Sequence, residues 1–103
     1  MAETTDEGTI ITSVQRATNI LEVIGSSPGG ATAKHIAAET GIALSTVYHL
    51  LNTLVVEGYA THVPGARWVL GDQIDLLRYC RRKQQAHLRR EARQHGVSRP
   101  DGQ

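Results

Sequence analysis

Apolar residues recur at helical spacing in four stretches of this chain, and two short runs alternate them as strands do. Val14, Ala17, Leu21 and Ile24 follow an i, i+3, i+7 rule, and Ile20 widens the stripe. A first helix is expected there, with Thr12 or Ser13 as its N-cap and the Gly25-Ser26-Ser27-Pro28-Gly29-Gly30 run as its end. Thr32 is placed to cap a short second helix reaching Glu39 or Thr40, with Ile36 and Ala37 inward; Gly41 is placed to close it in the left-handed conformation. A third helix is expected from Leu44 to Glu57, where Val47, Leu50, Leu51 and Leu54 share one arc. Ser45, His49 and Asn52 lie opposite that arc, flanked by Thr46, Tyr48 and Thr53, and Gly58 stops the helix. Tyr59–Val63 and Arg67–Leu70 read as strands, joined through the hairpin-turn chemistry of Pro64-Gly65-Ala66.

Asp72 can cap a fourth helix that places Ile74, Leu77 and Cys80 on one side. Beyond Cys80 large aliphatic residues are nearly absent, so a solvated helix to about His95 is expected, fraying through Gly96, Pro100 and Gly102. The organisation expected is a disordered arm at 1–9, a folded domain at 10–71, a linker helix and basic tail at 72–95, and a disordered C-terminus at 96–103.

Short helix, glycine turn, amphipathic helix and hairpin together describe a winged helix-turn-helix: a mainly α fold with a small β-hairpin, whose second helix enters the major groove of DNA. The polar face of the third helix then becomes the candidate reader. Ser45 and Thr46 at its start can meet a phosphate through hydroxyls and backbone N–H groups. Tyr48, His49 and Asn52 can reach base edges or sugars, Asn52 with the bidentate geometry that suits adenine, and Thr53 adjoins them. Arg67 on the wing, with Arg16 and Lys34 near helix starts, supplies candidate backbone contacts. The plain alternative is that all of these are a solvated surface; the helix, turn and wing in their required order weigh against it. Trp68 alternates with Leu70, so both are expected to face inward, and Cys80 reads as a small buried apolar residue.

Charge complicates this picture. Residues 1–75 carry only Arg16, Lys34 and Arg67 against eight acids, whereas residues 76–103 carry eight bases against Glu91 and Asp101. The reading module is short of the cations that anchor phosphates. The Arg81–Arg93 run is either a solvated segment or a source of nonspecific DNA affinity. A lone cysteine and five scattered histidines provide neither a disulfide nor zinc-ligand spacing, so no metal and no cofactor are expected. Without a long apolar run or a signal-peptide pattern, a soluble cytoplasmic protein with no membrane partner is expected.

Three motifs also carry a family resemblance. Ser13–Glu22 resembles the first helix of IclR-type transcriptional regulators, Ser45–Leu54 their recognition helix, and Glu57-Gly58-Tyr59 with Trp68-Val69-Leu70-Gly71 their wing. The resemblance covers residues 13 to 78. It implies a bacterial transcription factor that binds a palindromic operator as a dimer, often as a repressor, with Val14–Ile24 and Ile74–Leu77 helping to pair the subunits. The family often has a basic residue where Leu44 stands and Arg where His49 stands. It also continues into a large effector-binding domain that these residues do not include, so no small-molecule effector site is expected here. An excised fragment, a stand-alone module and a truncated regulator without effector control all fit that expectation.

The reading that follows is a sequence-specific DNA-binding transcription regulator, repressor-like and not an enzyme, with double-stranded DNA as partner and a weak homodimer as assembly. The alternative is a winged helix used for protein interaction or dimerisation, which the acidic balance of residues 1–75 would suit.

Overall fold

The computed structural model describes residues 8–95, so residues 1–7 of the arm expected at 1–9, and the C-terminus expected at 96–103, lie outside the described residues. Of the described residues, those up to Asp72 form one compact unit and those from Gln73 onward a second.

The first unit runs α1 (Thr12–Gly25), β1 (Ala31–Thr32), α2 (Ala33–Thr40), α3 (Leu44–Val56), β2 (Ala60–Val63) and β3 (Arg67–Leu70). The fold is mainly helical, with a three-stranded antiparallel sheet in the order β1-β3-β2: a winged helix-turn-helix. The elements follow their local chemistry. Thr32 Oγ1 accepts the His35 N–H at 3.1 Å, as an N-cap should. Gly41 closes α2 at φ 74°, ψ 11°, a left-handed conformation that a β-carbon would penalise. Where the hairpin returns to the body, a β-carbon on Gly71 would come within 2.4 Å of the Gly58 carbonyl oxygen, so only glycine allows that approach.

Ile20, Ile24, Ile36, Val47 and Leu51 make the centre of the core, with Ala31, Ala33, Ile42, Leu54, Ala60 and Trp68 around them. Each helix contributes its apolar arc, and β3 closes the layer against α1. With no phenylalanine available, close packing rests on branched aliphatic side chains.

Several expectations need correction. Neither Thr12 nor Ser13 caps α1: Ile11 holds the N-cap position, without a side-chain bond, and Thr12 is already helical. Val14 is 60% exposed, because Ile20 and Ile24 define the buried arc of α1 and Val14 falls at its edge. Leu70 shares the Trp68 face but is 40% exposed. It sits at the end of its strand beside Gly25, which has no side chain to wall it in. The two-residue strand β1 was not expected; its pairs Ala31–Trp68 and Thr32–Arg67 exist only because β3 comes alongside.

The second unit holds all of α4 (Asp72–Gln94) but its first residue, and α4 buries no residue. Cys80, expected to be buried, is exposed. The one-turn contacts of α4 suit a solvated helix: the Lys83 ammonium lies 5.6 Å from the Tyr79 ring centroid, and His87 Nε2 lies 3.3 Å from Glu91.

Leu51 is fully buried at the middle of α3. Truncation in Leu51→Ala is expected to destabilise the fold by about 2–5 kcal/mol, measured by thermal or urea unfolding. An unchanged midpoint would contradict the rotation of α3 described above.

Candidate nucleic-acid interface

The turn between α2 and α3 is clasped by one side chain. The Thr40 hydroxyl donates to the Ile36 carbonyl at 2.7 Å and accepts from the Ile42 N–H at 3.3 Å. With Gly41 in the left-handed region, the chain reverses over three residues and α3 begins at Leu44. Its cap residue, Ala43, makes no side-chain bond, so the first-turn N–H groups are not met by a cap. Ser45 is exposed in that turn, beside the half-buried Thr46.

Burial of Val47, Leu51 and Leu54 turns Ser45, His49 and Asn52 outward together, and all three are exposed. The flanks of this face differ. On one side Tyr48 meets Trp68 edge-to-face, with ring centroids 5.9 Å apart. On the other, Thr53 and Leu50 line an apolar groove against Val14, Ala17 and Leu21 of α1. Thr53 is therefore set apart from the other expected readers; its hydroxyl lies 3.5 Å from the His49 carbonyl. Lys34 in the first turn of α2 and Arg16 in α1 are exposed.

Arg67 is more engaged than an exposed strand charge would be. Its Nη1 donates to the Gly29 carbonyl at 2.7 Å, and Nε and Nη2 donate to the Pro64 carbonyl at 3.2 and 3.1 Å. The guanidinium has five N–H groups, so two more remain beyond these three bonds. It braces the wing tip to the turn between α1 and β1 and holds its charge in one place. His62, which the sequence did not single out, pairs with Trp68 across the strands and lies 4.5 Å from it by ring centroid. Among the described residues no group of three or more His, Cys, Asp or Glu side chains is placed to hold a metal ion.

These elements can be set beside known proteins. The IclR helix-turn-helix domain model matches residues 13–64, half of the chain. The chain belongs to the IclR family. That family is one of transcription regulators and not of enzymes, and the matched part is its helix-turn-helix domain. Among solved structures, an IclR transcriptional regulator from Alicyclobacillus acidocaldarius superposes with a TM-score of 0.63 at 25% identity, over 67% of this chain and 28% of that one. An IclR family regulator from Brucella abortus gives 0.63 at 25% identity, over 72% and 29%. A putative IclR regulator from Silicibacter sp. TM1040 gives 0.61 at 27%, over 67% and 28%. This chain thus spans less than a third of the length of each. No curated protein matches it.

The Arg67 brace has a testable consequence for the IclR wing. In Arg67→Lys the charge stays, but a lysine ammonium cannot span both carbonyls with the same fork. The hairpin amides of residues 60–70 are expected to exchange with deuterium roughly fivefold faster, the effect of losing about 1 kcal/mol of local hydrogen bonding. Unchanged exchange would mean that the brace adds nothing.

Proposed function

We infer that this IclR-family chain is a sequence-specific DNA-binding transcription regulator that reads its operator with α3. The observation that carries this reading is the outward polar face of Ser45, His49 and Asn52, opposite fully buried Val47 and Leu51 and next to the hairpin wing. Asn52 would pair with adenine, and His49 and Tyr48 would contact neighbouring edges or sugars. Ser45 and Thr46 would meet a phosphate at the helix start, with Thr53 at the margin. Arg16, Lys34 and Arg67 would anchor the duplex backbone, Arg67 through the two N–H groups beyond its three carbonyl bonds. Occupancy of an operator overlapping a promoter would repress transcription in a bacterial cytoplasm. Among the described residues no helix is long and apolar enough to cross a membrane.

Operator recognition favours a pair of subunits, because two half-sites about 34–36 Å apart, or a multiple of that, are engaged together. The groove of Val14, Ala17, Leu21, Leu50, Leu54 and Tyr59, open and ≈ 490 Å³ in volume, is apolar surface that a second copy would cover. The dimer would use α1 and the Ile74–Leu77 segment of each chain. The same groove supports a second reading, a winged helix that binds a protein rather than DNA. Salt separates the two, since DNA affinity falls steeply with ionic strength and a largely apolar contact does not.

Asn52→Ala and His49→Ala are each expected to weaken binding to a selected operator by about 1–3 kcal/mol, with little effect on scrambled DNA. Mobility shifts on both duplexes check this, and equal losses on the two would remove base reading.

For assembly, sedimentation should show a micromolar dimer, worth about 8 kcal/mol at the 1 M standard state. A monomer up to about a millimolar, binding one half-site as tightly as two, would contradict pairing.

A further inference from the structure

The two units differ sharply in their cations. Between Gly8 and Asp72 the only Lys and Arg residues are Arg16, Lys34 and Arg67, and Arg67 spends three N–H groups on carbonyls. The same stretch holds as many histidines: His35, His49 and His62, all exposed. A duplex surface is a dense row of phosphates, and each one neutralised adds affinity.

Of the three, His62 has the most defined setting. It stands directly opposite Trp68 in the β2–β3 ladder, with its ring tilted 36° to the indole at a centroid distance of 4.5 Å. Trp68 is 9% exposed and in turn meets Tyr48 of α3. Tyr48, Trp68 and His62 therefore form one aromatic row from α3 onto the wing, with Tyr48 and His62 exposed at its two ends. The groups around it are few. The titratable residues of α3 and its cap are Tyr48, His49 and Glu57, and β3 offers Arg67, whose guanidinium is turned to Pro64 and Gly29. His62 is the only titratable residue on β2. Among the described residues the only ion pair is His87 with Glu91, so none of their carboxylates pairs with His62.

Resting on the reading of α3 and the wing as a DNA-binding surface, we propose that His62 is a phosphate-binding residue of the wing that takes up a proton from solvent as DNA docks. An imidazole changes charge in the range of about pH 5 to 8. A phosphate brought beside it favours the imidazolium, and the indole face beneath favours the same charged form. Stacking on Trp68 also fixes the ring before the duplex arrives, so little side-chain freedom is lost on contact. The contact therefore adds affinity at acidic pH and loses it as pH rises.

The test uses the full chain, a duplex of about 30 base pairs recovered by selection from random sequence, and a scrambled duplex of the same length. Affinity for both is expected to rise about tenfold from pH 8 to pH 6. His62→Gln should abolish that rise while keeping the pH 8 affinity. At pH 6 its slope of log affinity against log salt should be shallower by about 0.9, one phosphate contact. His62→Lys should bind tightly at both pH values, which separates charge from packing. A flat wild-type profile overturns the proposal, as does a rise that survives in His62→Gln but is lost in His49→Gln or His35→Gln. An equal loss at both pH values in His62→Gln also overturns it, since that marks a loosened wing. Recovery of no duplex at either pH overturns the DNA-binding reading itself, and the proposal with it.

Discussion

The burial of Val47 and Leu51 against the isoleucines of α1 and α2 governs the rest of this domain. A helix that buries one arc has no remaining freedom to rotate about its axis. Once those two side chains are out of water, Ser45, His49 and Asn52 must face solvent, Tyr48 must lie toward the wing, and Thr53 must lie toward α1. Sliding or rotating α3 to present another face would expose aliphatic surface at about 25 cal/mol per Å². The outward polar face of α3 is thus a by-product of the core. This explains how a small module without phenylalanine can still present a defined polar face.

The wing depends on polar contacts as well as on packing. Trp68 is the one large aromatic side chain in the core, and it joins β3 to β1 on one side and to β2 on the other. Its neighbour Arg67 ties the wing to the rest of the domain by bonding to carbonyls of two separate turns. A two-stranded hairpin alone is marginal in water. The third strand and the guanidinium give this one a body to rest on. The cost is that part of a scarce cation is used for architecture, in a unit where acidic residues outnumber basic ones.

Most of the elements were legible in the sequence because they depend on local chemistry. The Thr32 cap, the left-handed Gly41, the buried arc of α3 and the two wing strands all follow from residues within a few positions of one another. What was not legible involves partners far apart in the chain. The strand β1 has too few residues to show alternation and is a strand only because Trp68 and Arg67 pair with it. The α1 stripe gave the helix but not which part of its arc is covered, so Val14 and Ile20 could not be told apart.

The order of elements, the IclR character of the helix-turn-helix and the polar residues of α3 were therefore determined by sequence alone, since periodicity, capping and turn chemistry act over one or two helical turns. Tertiary structure decided which flank each polar residue occupies, that Arg67 braces the wing across 38 residues of chain, and that His62 stacks on Trp68. It also decided that Cys80 stays in solvent, because α4 buries nothing. Those outcomes depend on which surfaces meet, and a one-dimensional pattern of apolar and polar residues carries no direct measure of that.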